Sequence, residues 1–295
     1  MEPKRRIPES ELVLNPDGSV YHLKLKPENL ADTVLVVGDP RRVLMITDFF
    51  DRIEYEGQNR EILTRTGIYK NKRLTVMSTG MGTDNIDIVL NELDALVNVD
   101  LENRVVKSEK KSLKIVRLGT SGALQTDIPL NSVIVSKYGL GFDGLVHYYQ
   151  FKQTDEESLI LDAFMKQTEW PDSLPKPYLV PASSSLMEIF NQATFFRGIT
   201  ATASGFYGPQ GRYVRLPLNY PDLNKNIQQY RYLDHRILNF EMETSALYGL
   251  SRLLGHEALT LCVAIASRAK KEYNQSYNEV ILEVIKEVLN TLCKV

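Results

Sequence analysis

Continuous apolar and β-branched runs recur along the chain at 33–37, 73–77, 113–117, 132–135 and 259–265, and each predicts a strand covered on both faces. The first, Thr33-Val34-Leu35-Val36-Val37, stops at Gly38-Asp39-Pro40. Helical spacing lies between several of them. Ile86, Val89, Leu90, Leu93 and Leu96 mark a helix over 83–96 that Thr83 or Asp84 can cap, and a second spans 239–254 and ends at Gly255. A third, over 277–292, carries apolar residues at 277, 280, 281, 284, 285, 288, 289 and 292, a stripe that reads as core packing. Strands alternating with helices predict an α/β fold around a central mixed, mainly parallel sheet, with no sign of a second domain. Residues 1–30, rich in Pro, Asn, Asp and Gly, read as an irregular N-terminal arm ending in the alternating piece Val20-Tyr21-His22-Leu23, and 31–295 as the single domain. Within it, residues 98–112, with Lys107, Glu109, Lys110 and Lys111, read as a solvated surface insertion.

A length of 295 residues, 43% hydrophobic and 24% charged, is that of a folded chain. Lys plus Arg, 35, nearly cancel Asp plus Glu, 37, so nothing in the net charge of −2 favours nucleic acid or an anionic membrane. Cys262 and Cys293 are too few for a disulfide framework and read as reduced thiols. The four histidines show no metal-ligand spacing, so no metal is expected. The N-terminus is basic without a following apolar core, and no window approaches the ~18 apolar residues of a spanning helix. The expected location is the cytoplasm.

Ligands of open α/β sheets collect at the carboxyl ends of strands. Three segments there are unusual: Gly38-Asp39-Pro40-Arg41-Arg42, Ser78-Thr79-Gly80-Met81-Gly82, and Arg117-Leu118-Gly119-Thr120-Ser121-Gly122. Bare glycine amides beside a forked guanidinium suit an oxyanion such as phosphate. Taken singly, each could be a tight turn with solvated arginines; two of the same make-up favour an anion site. Gly139-Leu140-Gly141-Phe142-Asp143-Gly144 also satisfies the dinucleotide pattern GxGxxG, but it follows the fourth strand and precedes no convincing helix. It keeps a nicotinamide-dependent oxidoreductase open as an alternative. No GxxxxGK[ST] occurs.

Six ordered motifs, GDPRR at 38–42, NRE at 59–61, STGMG at 78–82, RLGTSG at 117–122, TASGFYGPQGR at 202–212 and NFEMETSAL at 239–247, make the chain resemble the trimeric and hexameric nucleoside phosphorylases over nearly its whole length. Among them the uridine-cleaving members are most similar. The resemblance implies a three-layer α/β/α domain. It also implies phosphate on Gly38, Arg42, Arg117 and Thr120, with Arg60 supplied by a neighbouring subunit. Ribose would lie on Met242, Glu243 and Thr120, with the neighbour's His22 on the 5′-hydroxyl. The base would meet Phe206, Gln210, Arg212, Ile265 and Arg268. Some bacterial members hold a monovalent cation with a Glu and a Ser; here Glu61 matches the Glu and Asn85 stands at the Ser position, so a potassium site is left open.

Base chemistry agrees with this assignment. Uracil offers acceptor, donor and acceptor along O2, N3 and O4, which an amide at Gln210 and a guanidinium at Arg212 can meet, whereas cytosine cannot. Purine-cleaving members carry an Asp after the Ser of the late strand; Arg268 follows Ser267 here and cannot act as a general acid. Three arginines, 42, 60 and 117, favour phosphorolysis over hydrolysis. The implied reaction is reversible conversion of uridine and phosphate to uracil and α-D-ribose 1-phosphate in nucleoside salvage, without a cofactor. A C₂ dimer would be the smallest active unit, and whether three of them build a hexamer is left open. Purine nucleoside phosphorylase is the nearest alternative, and a non-catalytic nucleoside-binding protein another.

Overall fold

The computed structural model describes residues 5–294, so the first four residues of the arm and Val295 of the domain lie outside the described residues. In chain order the strands are β1 (Thr33–Val37), β2 (Arg52–Asn59), β3 (Ile62–Tyr69), β4 (Lys72–Ser78), β5 (Val99–Asp100), β6 (Val105–Val106), β7 (Lys114–Ala123), β8 (Val133–Gly141), β9 (Tyr178–Pro181), β10 (Phe196–Thr202), β11 (Ile237–Glu241), β12 (Glu257–Ser267) and β13 (Glu272–Tyr273). The helices are α1 (Pro40–Thr47), α2 (Thr83–Asn98), α3 (Asp155–Thr168), α4 (Ser184–Ile189), α5 (Leu223–Gln229), α6 (Thr244–Leu254) and α7 (Asn278–Leu292).

β1 is buried at every position and runs parallel to β4 on one side and β7 on the other. Its residues alternate between faces, Val34 and Val36 packing with α2 and α6 while Leu35 and Val37 pack with α1 and α7. That alternation produces the helix-sheet-helix layering. The sheet is mixed, as its pattern predicted: parallel ladders join β4–β1–β7–β12 and β8–β10–β11, while β12–β8, β11–β7 and the β2–β3–β4 wing are antiparallel.

β7 is the pivot of the fold. One edge pairs along its whole length with β12, while the other pairs with β1 only through Arg117 and meets β11 only at Gly122 and Ala123. From β12 the ladder continues through β8 and β10 to β11, closing a ring of strands. Residues 118–121 therefore sit on an edge where β7 has left one neighbour and not yet reached the next. Such a switch point exposes backbone groups at the ends of buried strands, where a ligand can reach them.

Several expectations are corrected. Residues 117–122 are not a loop but the second half of β7, because the full-length ladder with β12 holds them extended. The segment 239–254 is not one helix: β11 is completely buried in the ring, and α6 begins at Thr244, tertiary pairing having overridden the apolar spacing. Neither Thr83 nor Asp84 caps α2; the N-cap is Gly82, at φ 97°, a conformation that favours glycine.

Much of the arm, too, is built into the core: Val20, Leu23, Leu25 and Leu30 are buried with α2. Residues 98–112 are only partly solvated. Asn98 is buried, its amide bonded to Asp94 and to the Lys111 carbonyl, and the β5–β6 ribbon pairs with the arm through Ile7 and Arg104. Among the described residues, no helix is long and apolar enough to cross a membrane.

Candidate active site

Asp39 caps α1, accepting from the Arg41 backbone amide and from the Arg41 guanidinium, so Arg41 is neutralised at the surface. Arg42, next in the chain, turns inward and donates to the Leu118 carbonyl at 3.1 Å, on the open edge of β7. A side chain at Gly38 would stand 3.6 Å from the Arg42 guanidinium and 3.3 Å from the Gly80 carbonyl, so the ends of β1, β4 and β7 converge here. Burial, and then the facing Arg117, make the Arg42 charge costlier and lower its pKa; among the described residues no carboxylate bonds to it. This is an arginine whose charge the fold leaves for something else to balance.

Arg117 lies across the bottom of the same crevice, 4% exposed. Its side chain folds back over Gly119, where a Cβ would overlap the guanidinium, so a larger residue there would displace Arg117 from this position. Glu243 accepts from Nη2 through a short hydrogen bond, Glu241 lies 3.3 Å from Nη1, and Cys262 Sγ accepts at 3.5 Å. Burial works against the Arg117 charge, but Glu243 and Glu241 outweigh it and raise its pKa.

The two carboxylates are held differently. Glu241 is fixed by the Thr202 hydroxyl and the amides of Glu243 and Thr244 at the start of α6, and burial raises its pKa. Glu243 takes one further donor, the Gly82 amide at 2.8 Å, which ties the end of β11 to the start of α2. Burial pushes the Cys262 thiol up to about 12, so it is a weak acceptor here and not a nucleophile. Thr120 is half-buried on β7 opposite Val263, and the hydroxyl of its neighbour Ser121 is buried without a partner among the described residues. Met242, half-buried, separates the two glutamates.

A second cluster forms around Gln210, which is 4% exposed. Arg268 donates to its backbone carbonyl at 2.9 Å, and Arg212 donates to its side-chain Oε1 at 2.6 Å. Arg212 also bonds the Phe206 carbonyl and lies 3.6 Å above the half-exposed Phe206 ring. Burial, and then Arg268, press the Arg212 pKa down to about 10, which still leaves it charged at neutral pH. No carboxylate bonds to Gln210, Arg212 or Arg268 among the described residues. Ile265 is half-buried on β12, three residues before Arg268.

Two candidates join neither cluster within one chain. Arg60 sits exposed at the β2–β3 turn with φ 52°, and His22 is bonded to Glu92 on α2. The Asn85 amide donates to Glu61 at 3.4 Å and to the Met81 carbonyl at 3.3 Å, so a neutral donor faces the carboxylate matched to the cation site. Among the described residues, no group of three or more His, Cys, Asp and Glu side chains could hold a metal ion.

The GxGxxG segment is spent on packing. Gly139 and Gly141 belong to β8, where a side chain at 139 would meet the Ser245 backbone at 2.9 Å and one at 141 would overlap the Tyr178 ring. A short 3₁₀ turn follows at 145–148 in place of a helix that could face a pyrophosphate, so the oxidoreductase alternative loses its support.

Sequence reasoning missed Glu241, the Gly82 amide and Glu92. Glu241 stands two residues before Glu243 in NFEMETSAL, and Glu92 is a carboxylate on the apolar stripe of α2, a misfit visible in the sequence.

Residues 32–295 match the family model of the phosphorylase superfamily. A uridine phosphorylase of Thermococcus kodakarensis is 29% identical over 263 residues, 88% of this chain and 82% of the relative. A purine nucleoside phosphorylase of Colwellia psychrerythraea is 29% identical over 242 residues, 81% and 84% of the two chains. Among solved structures, the Trypanosoma brucei nucleoside phosphorylase, which shows uridine phosphorylase activity, superposes with a TM-score of 0.88 at 31% identity, covering 96% of this chain and all of that one. A crevice that gathers two guanidiniums and two buried glutamates at the switch point of a mixed sheet thus belongs to a known architecture, and this chain is a member of the phosphorylase superfamily.

Proposed function

We propose that the protein catalyses reversible phosphorolysis of uridine to uracil and α-D-ribose 1-phosphate. The observation that carries this reading is the Gln210, Arg212 and Arg268 cluster, which sets one amide and two guanidiniums together with no carboxylic acid of the described residues bonded to them. A purine leaves most easily when an acid protonates its ring, and this cluster has none. Uracil leaves as an anion, and two guanidiniums favour that charge. Relatives that include two uridine-cleaving enzymes support the same choice.

Phosphate would be held by Gly38, Arg42, Arg117 and Thr120, with Arg60 from a second copy of the chain. Glu243 would hold the ribose hydroxyls beside Met242 and Thr120. The second copy's His22 would meet the 5′-hydroxyl, which makes a homodimer the smallest active unit. Phe206 and Ile265 would border the base, and Gln210 and Arg212 would read its edge, with Arg268 holding Gln210 in place. A phosphate oxygen attacks C1′ as the C1′–N1 bond breaks, its electron pair leaving with uracil, which then takes a proton from solvent. The configuration at C1′ inverts, and no covalent enzyme intermediate forms. Positioning and charge complementarity supply the catalysis.

Ultraviolet absorbance with uridine, deoxyuridine, thymidine and inosine, each with and without phosphate, tests the reading. Phosphate-dependent loss of uridine is expected; turnover of inosine alone, or of uridine without phosphate, would refute it. A second expectation concerns the cation. Because the Asn85 amide already faces Glu61, exchanging potassium for sodium or tetramethylammonium should leave the rate unchanged, and a severalfold dependence on potassium would show that the amide does not replace the ion.

A further inference from the structure

His22 is held more firmly than a surface histidine needs to be. Glu92 Oε2 accepts from the backbone amide of Leu23 at 2.8 Å, both carboxylate oxygens accept from the His22 amide at 3.0 Å, and Oε1 lies 2.6 Å from His22 Nδ1. The Asn59 amide donates to the His22 carbonyl at 2.8 Å. Below the turn, Val20, Leu23 and Leu25 are buried in the core, and the Tyr21 ring packs edge-on against the imidazole at 4.8 Å. Backbone and ring are thus both fixed, while the imidazole itself stays partly exposed.

Glu92 is an odd residue to find here. It is 8% exposed on the stripe of α2 formed by Val89, Leu93 and Leu96, where a carboxylate costs stability unless its bonds are satisfied. Its oxygens already take backbone N–H donors, so toward the ring the group acts as acceptor and the shared hydrogen belongs to Nδ1. In the neutral ring that leaves Nε2, on the far side from Glu92, as a bare acceptor. No other described side chain bonds to Nε2.

We propose that Glu92 is a positioning residue: it fixes the ring orientation and tautomer of His22 so that Nε2 accepts from a nucleoside 5′-hydroxyl, and it thereby sets a preference for 5′-hydroxylated over 5′-deoxy substrates. The inference rests on the assignment of His22 to the ribose and adds the group that makes His22 selective. An acceptor with no alternative donor loses a bond when the hydroxyl is absent, which is how a site rejects a smaller analogue.

The test compares kcat/KM for uridine and 5′-deoxyuridine in the full-length wild type, Glu92→Gln, His22→Ala and the double variant. Glu92→Gln keeps size and an acceptor but no longer dictates the tautomer. It should lower kcat/KM for uridine about tenfold and leave 5′-deoxyuridine within about threefold. On uridine the double variant should match His22→Ala within about twofold, because Glu92 acts through the ring. Equal losses on both substrates, or additive losses in the double variant, would overturn the proposal in favour of a structural role. If His22→Ala keeps the uridine preference, the ribose assignment fails and this proposal with it, although uridine phosphorolysis itself would still stand on turnover. If His22→Ala loses the preference and Glu92→Gln keeps it, only the role of Glu92 fails. Should Glu92→Gln not fold, the nitrogen chemical shifts of His22 in the wild type decide: Nδ1 must be the protonated nitrogen, and the opposite tautomer refutes the inference.

Discussion

Replacing Arg117 by alanine is expected to lower phosphate-dependent kcat/KM by about a hundred- to a thousandfold and to destabilise the fold by about 3–5 kcal/mol. The two effects share one cause. Arg117 is the cation that Glu241 and Glu243 both face, and all three are buried. Removing it deletes a donor from the proposed phosphate site and strands two carboxylates in the same low-dielectric space. For a chain of this size the stability loss corresponds to a fall in Tm of about 6–10 °C.

The pH dependence separates this from ordinary loss of packing. Burial already holds the Glu241 pKa above its ordinary value of 4.5, and Arg117 is the main influence drawing it back down. Without Arg117 the carboxyl binds its proton more tightly in the folded than in the unfolded chain, so stability is retained at low pH and lost as pH rises from about 4.5 toward the folded value. The gap in Tm between variant and wild type should therefore be smaller at pH 5 than at pH 7.5. Lysine at 117 should recover more stability than turnover, since it keeps the charge but not the fork. Thermal unfolding at the two pH values checks this, and a gap that widens toward acid would contradict it.

Why Arg117 and Glu243 were legible as site candidates, and the ion pair between them and the part played by Glu241 were not, follows from where the information lies. A glycine-flanked arginine at the end of an apolar run is a local pattern. Its bond to Glu243 joins residues 126 apart and exists only because β7 and β11 close the ring. The same division holds for the fold. β1 and β12 were readable from their continuous apolar runs, and α2 and α7 from a single helical stripe each. The β2–β3 hairpin was not: Arg52, Glu54 and Glu56 lie on an exposed outer strand, which carries no continuous apolar run. At 237–241 the apolar residues fit either a helix or a strand, and pairing with β10 and β7 decided the matter. His22 could be named from the family resemblance, but Glu92 needed the packing of the arm onto α2 to acquire meaning.

Arg212→Ala is expected to cost uridine turnover about a hundredfold or more while moving Tm by no more than about 2 °C. The side chain is about half-buried, has no carboxylate partner among the described residues and stands beside a second guanidinium, so its loss leaves no stranded charge and relieves a repulsion. What it takes away is the group that would face a uracil carbonyl as negative charge develops on the base. A leaving group that needs less help should suffer less. With 5-fluorouridine, whose base departs as a more stable anion, the variant should lose markedly less activity than with uridine. The Phe206 ring adds to this, because the guanidinium lies over it at 3.6 Å from the centroid. A lysine at 212 would keep a positive charge without the planar fork or the stacking, so it should not restore the rate. Steady-state rates with both substrates decide the matter: equal losses on uridine and 5-fluorouridine would mean that Arg212 binds the base without stabilising its departure, and unchanged rates would remove it from the site.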